Sequence, residues 1–256
     1  MIQFIEKYFF ICLMQILKYL FIAGTFYILY YIFFKKTMVS AKIQNKNPSK
    51  KRIKSEIFQS FLASIIIPFL ICVVLYSPLV GYTQLYQNIN DYSFIWLFLS
   101  VLISLLIHDT YFYWLHRLLH HKKAFRYTHY VHHESNNPNP FTSYSFNIIE
   151  SFAEGLIVPI LLFIIPLHPI AIYTFIMMSF IINVYGHLGY EILPKWFRKS
   201  FLFGIINTSV YHNLHHSRFK GNYGLYFRFW DRMMNTENPN YVESYDKIQE
   251  RRFRKI

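Results

Sequence analysis

The residues with the clearest capacity for chemistry are histidines, of which this chain has 12 in 256 residues. His116 and His120 stand four apart in HRLLH; His129, His132 and His133 form HYVHH; His212, His215 and His216 form HNLHH. Spacings of three and four place side chains on one face of a helix, where imidazoles can share a metal ion or bridge two. His108, eight residues before His116, lies about 80° around the same helix at 3.6 residues per turn. His187, in GHLGYE, is the tenth candidate. A mononuclear zinc site takes about three or four ligands and would leave most of these unused. Two ions with about four or five nitrogens each would use them all, and the ligand type alone admits iron, copper, nickel or zinc. His121 and His168 read as ordinary structural histidines.

The elements that must carry these residues are membrane helices. Hydrophobic residues make up 54% of the chain and charged ones only 15%, against about 25% charged in soluble domains. A bilayer takes about 20 residues of apolar helix. Three stretches meet this: Tyr8–Phe34, broken only by Lys18 and read as a retained anchor; Ile57–Val80, kinked at Pro68; and the run from Ser93 that passes directly into His108. A fourth, Ile148–Tyr185, contains Pro159, Pro166 and Pro169 and reads as a helical hairpin that dips in and returns. Cys12 and Cys72 both lie in apolar runs, which excludes a disulfide framework and a thiolate zinc site.

Residues 35–56 hold eight Lys or Arg and one acid, Glu56, whereas the loop Gln84–Tyr92 has one acid and no base. Excess Lys and Arg marks the cytoplasmic side, so the third span leads its histidines into the cytoplasm and the hairpin returns there. At about 1.5 Å per residue, His108 is roughly 22 Å and His116 roughly 35 Å along a helix from Ser93. Both then straddle the edge of a hydrocarbon core about 30 Å thick. The fold expected is an all-α integral membrane protein with about three transmembrane helices, a Pro-broken fourth hairpin and a cytoplasmic histidine-rich helical cap. Its divisions are N-terminal membrane helices with a basic loop (1–92), a histidine-bearing region (93–240), catalytic by the resemblance given below, and a basic tail (241–256) that is solvated or touches lipid headgroups. The net charge of +13 suits anionic headgroups; no nucleic-acid-binding motif accompanies it.

The stretches HDTYFYWLHRLLHH, HYVHHES, GHLGYE and HNLHHSRFKGNYGLYFRFWDRMMNT, in this order over residues 105–240, resemble the fatty acid hydroxylase/sterol desaturase superfamily of membrane non-haem di-iron enzymes. The resemblance implies that His116, His120, His129, His132, His133, His212, His215 and His216 are metal ligands, with His108 and His187 where family members commonly carry further histidines. It implies supporting roles for Asp109, Trp114, Arg117, Asn222, Tyr223, Gly224, Trp230 and Asp231. One departure stands out: where many members have His-Pro-x-Glu, this chain reads Asn147-Ile148-Ile149-Glu150.

The activity that the resemblance implies is that of an oxidoreductase with two iron ions and O2 as co-substrate, hydroxylating or desaturating a C–H site of a lipid: sterol, fatty acyl or related. Breaking such a bond takes a metal-derived oxidant that side chains do not supply. The chain has no haem domain, flavin fingerprint or Gly-rich nucleotide loop, so an external electron donor of ferredoxin or cytochrome type is expected. A membrane zinc hydrolase is the alternative, but HExxH is absent. A metal transporter or haem-ligating protein would line the bilayer interior with its histidines, whereas here they gather after the spans. The short chain points to a bacterial inner membrane rather than the endoplasmic reticulum, with the metal site on the cytoplasmic face.

Overall fold

The computed structural model describes residues 2–254 and is helical throughout, with no β-strands among the described residues. Helix α1 (Ile2–Tyr27) continues as a π-helical stretch, Ile28–Phe33. Helix α2 (Lys50–Leu75) is capped by Ser49, whose side chain accepts from Arg52 N–H, and runs on through Pro68. Helix α3 (Phe94–Leu119) is capped by Ser93 and delivers His108, His116 and, at its C-terminal end, His120. Three of the four helices long and apolar enough to cross a membrane are α1 with its extension, α2 and α3.

The fourth element is a hairpin, as the prolines require. Helices α6 (Ile148–Gly155) and α7 (Ile157–Ile164) form one limb and α8 (Pro169–Gly186) the other. The first limb breaks at Leu156 rather than at Pro159 itself, because Pro159 has no N–H to bond four residues back. Pro169 starts α8, and His168 caps it by accepting from Ile170 N–H at 3.2 Å. The tip reaches the loop between α2 and α3: Gln84 N–H donates to Leu162 O at 2.7 Å and Trp96 Nε1–H to Pro166 O at 3.1 Å. The hairpin therefore extends to the far loop, and its return limb α8 is itself the fourth helix able to span. Val101 and Leu105 of α3, Leu161 and Leu162 of α7 and Ala171 and Phe175 of α8 form the core of the bundle. Phe94, Phe98, Leu102 and Leu106 stay exposed along α3, the surface an integral membrane protein turns to lipid.

The cap is built of short pieces: α4 (Phe125–Thr128), α5 (Tyr130–His133), α9 (Ser209–Arg218), α10 (Phe229–Met233) and α11 (Tyr241–Phe253). Most of the segment expected as a basic tail is α11. Tyr241, Tyr245 and Ile248 recur at helical spacing and are buried against Val210, Tyr211 and Phe203, while Arg251 and Arg252 donate to Ser40 O and Leu193 O of neighbouring segments.

Candidate metal centre

Nine of the ten candidate histidines converge in two adjoining groups. The first holds His116, His120, His129, His133 and His215; the second holds His132, His187, His212 and His216. Within each, one nitrogen per ring lies within 4.8 Å of all the others. In the first, His116 Nε2 faces His129 Nε2 at 2.9 Å, and His120, His133 and His215 form a triangle of Nε2 atoms with sides of 3.0, 3.2 and 2.9 Å. In the second, His187, His212 and His216 form a like triangle with sides of 2.9, 3.2 and 3.1 Å, and His132 joins at 3.2 Å from His187.

The other ring nitrogens show what these contacts are. His116 Nδ1 lies 2.9 Å from Tyr223 O, His215 Nδ1 2.7 Å from Gly221 O, His187 Nδ1 2.8 Å from Asn183 O and His216 Nδ1 3.0 Å from Ser135 O. A carbonyl only accepts, so each of these Nδ1 atoms donates and each neutral ring is left with a bare lone pair on Nε2. His187 and His216 thus aim lone pairs at each other across 3.2 Å, an arrangement that is repulsive unless a cation lies between them. Protons do not supply that cation at neutral pH. Burial, and in most cases the neighbouring imidazoles, hold His129, His132, His133, His212 and His216 far below the usual 6.5, and burial brings His187 and His215 to about 4. A donor set of neutral imidazoles, four of them with the tautomer fixed by a carbonyl, fits a divalent transition metal in each group.

The orienting carbonyls are themselves held. Asp231 accepts from Tyr223 N–H at 2.9 Å, Gly224 N–H at 2.7 Å and Thr236 Oγ1–H at 2.7 Å. Asn222 takes φ 57°, donates to Tyr211 O and accepts from Asn238 N–H. At Gly224 a Cβ would stand 2.3 Å from Phe227 O, so only glycine fits. Asp109 accepts from Tyr226 N–H and Phe227 N–H at 2.7 and 3.1 Å, and Trp230 Nε1–H donates to Thr110 while its ring stacks on Tyr113. Trp114 and Arg117 form a cation–π contact at 5.6 Å on the outer side of α3, away from the histidine groups.

His108 is not brought to either group. Its Nδ1 lies 2.8 Å from the Tyr226 hydroxyl, which donates to Ser179, and its ring packs on Phe175. The 80° offset and about 12 Å of rise that separate it from His116 turn it toward α8 instead.

Two acids that sequence reasoning left without a role support the groups. Glu150 Oε1 lies 2.5 Å from His129 Nδ1. Asn147, at the position that departs from the family pattern, is the N-cap of α6: it accepts from Glu150 N–H and donates to Tyr127 O. Glu56, the lone acid of the basic loop, is buried and accepts from Ser135, Asn139 and Thr142 at 2.6, 2.6 and 3.0 Å. Through Ser135 it fixes the carbonyl that orients His216. Its signal in the sequence was its isolation among eight bases.

Residues 101–236, which contain every one of these histidines, match the fatty acid hydroxylase family. The chain belongs to that family. Among its relatives are a Delta(7)-sterol 5(6)-desaturase of Gibberella zeae, 31% identical over 183 residues (71% of this chain, 55% of the relative), and the lathosterol oxidase of Rattus norvegicus, 35% identical over 158 residues (60% and 50%). A very-long-chain aldehyde decarbonylase of Oryza sativa is 34% identical over 167 residues, but the match covers only 26% of its length. The chain spans about half the length of the desaturase and oxidase it matches. No solved structure matches.

Proposed function

We propose that this family member is a membrane oxidoreductase that holds two iron ions, one in each histidine group, and uses O2 with an external electron donor to hydroxylate or desaturate a C–H site of a lipid. The facing lone pairs of His187 and His216 are the observation that carries the metal reading. When bound, the irons supply the O2-dependent redox chemistry that attack on an unactivated C–H bond requires. The names of the relatives make sterols the first substrate class to test.

The protein's own part is to place and shield. Phe112 packs on His116 at 4.9 Å between ring centroids and Phe146 on His132 at 5.3 Å. Both rings also line a cavity of about 80 Å³ inside the bundle, walled by Ile67, Val158, Phe175 and Phe180. The cavity holds only a few atoms of a ligand. Gln15, Lys18 and Ile176 are shared between its wall and that of a larger apolar groove between α1 and α8, where the rest of a lipid lies while its reacting carbons reach the phenylalanines. Lys18 stays at this junction by donating to the Tyr144 hydroxyl and sitting 5.0 Å over the Phe180 ring. The basic loop at residues 35–54 supports a cytoplasmic position for the cap.

Metal analysis of protein purified in mild detergent from iron-supplemented cells is the test. About two irons per chain, with conversion of a Delta(7)-sterol by reconstituted protein, is expected. Bound zinc without iron moves the reading to a hydrolase, and no metal in folded protein removes it.

A further inference from the structure

The five-histidine group is covered on one side by a pair of phenylalanines. Phe125 packs on His120 at 5.2 Å and on His133 at 5.6 Å; Phe219 packs on His133 at 5.0 Å and touches Phe125 at 6.2 Å. Phe219 is 42% exposed, so a single aromatic ring spans from the surface to a ring of the five-histidine group. Its backbone is left-handed, with φ 60° at the C-terminal end of α9. That position favours glycine or asparagine, and a bulky side chain there is strained. The strain sets a ring against His133 where a glycine would have left a gap.

Exposed bases adjoin both phenylalanines in the sequence. Lys122, Lys123 and Arg126 flank Phe125, and Arg218 and Lys220 flank Phe219; all five are exposed. None forms an ion pair with a described residue. No Asp or Glu occurs between Asp109 and Glu134, or between Glu191 and Asp231. The two segments are cationic with no acid of their own, and an aromatic ring stands at the centre of each; the nearby Glu134 is paired with Arg52.

Resting on the oxidoreductase reading above, we propose that this surface, centred on Phe219 and Phe125, is the docking site of an acidic one-electron carrier protein that feeds the five-histidine group. Carboxylates on the carrier meet the five free bases and steer its approach, and the two rings close the distance between its redox centre and His133. Each carrier gives up one electron and is itself oxidised by one. Two such deliveries with two protons from solvent, together with the two electrons taken from the substrate, reduce O2 fully. The products are an alcohol and one water, or an alkene and two waters.

The test is binding, which does not depend on turnover. Full-length protein in phosphatidylcholine nanodiscs is titrated with two probes, an acidic plant-type ferredoxin and an acidic b-type cytochrome. The patch variant carries Lys122→Ser, Lys123→Ser, Arg126→Ser, Arg218→Ser and Lys220→Ser. A control with the same charge change carries Lys35→Ser, Lys36→Ser, Lys50→Ser, Lys51→Ser and Lys54→Ser. The expected result is salt-sensitive binding of at least one probe, weakened more than about tenfold in the patch variant and less than about twofold in the control. Phe219→Ala is expected to keep affinity but slow anaerobic electron uptake from the reduced probe by more than about tenfold. No binding of either probe, equal weakening in the control, or unchanged uptake in Phe219→Ala overturns the proposal. So does a patch variant that binds the carriers normally but co-purifies with less anionic lipid, because the face is then a headgroup surface. Iron content, measured on the same samples, separates the two readings: wild-type protein that holds iron and binds no carrier fails only here, whereas protein without iron fails the oxidoreductase reading.

Discussion

In the five-histidine group, His116 and His215 are oriented by carbonyls of one cap loop, Tyr223 and Gly221, and His129 by the Glu150 carboxyl. In the four-histidine group, His187 is oriented by Asn183 of the membrane helix α8, and His216 by Ser135, which Glu56 of α2 anchors. The first group is thus oriented by a cap loop, stiffened by Asp231, and by Glu150 of α6. The second is oriented by α8 and, through Ser135, by α2. The same ligand type is therefore held by two frames that share no orienting residue.

The sharpest way to break that contrast is to remove a nitrogen from one group. His133 faces both His120 and His215, so His133→Ala should lower bound iron from about two to about one per chain and take lipid oxidation below detection. Metal analysis that finds both ions lost would make the groups one cooperative unit. A milder pair of variants acts on the frames. Glu150→Gln should weaken the first group, and Glu56→Gln the second, by about tenfold to a hundredfold in metal affinity each. Chelator competition distinguishes them; equal loosening of both groups by Glu56→Gln would contradict separate frames.

Acid should affect both groups alike, since His215 of the first and His187 of the second are each brought to about 4 by burial. Above about pH 6.5 these rings are neutral folded and unfolded, and titration contributes nothing. As pH falls from there toward 4, the unfolded chain binds protons that the folded chain refuses, so stability drops with falling pH. Metal is released in the same direction, because ligation needs the neutral ring. Melting of the metal-free protein and metal retention, each followed across this window, check the sign; a Tm that rises on acidification would contradict it. The smallest effect is at the cap of α6. Asn147→Ala should cost about 1 kcal/mol, a Tm drop of about 3 °C measured by thermal melting, with slight loosening of the first group only.

Much of this was legible in the chain itself. The apolar runs marked the spans, because a bilayer demands length and low charge of any helix that crosses it. The prolines marked the hairpin, though the break fell at Leu156, since a missing N–H acts one turn back from the proline. Less legible were interactions that join distant segments. Nothing near Glu56 in sequence says that it accepts three hydrogen bonds from residues 135–142. The basic residues after Tyr241 hid the apolar stripe of α11, because periodicity three and four apart does not stand out in a charged run.

The histidine clusters divide the two kinds of information most cleanly. Residue type and spacing by themselves determined that imidazoles at i and i+4 act together. His116 with His120, His129 with His133 and His212 with His216 each stay in one group. The spacing did not say where the third member of each cluster goes. His132, at i+3 from His129, joins the second group, and His215, at i+3 from His212, joins the first. Neighbouring residues on a helix point about 100° apart, so two adjacent histidines cannot serve one point in space. Which point each serves depends on how α3, α5, α8 and α9 pack, and only the tertiary structure fixes that.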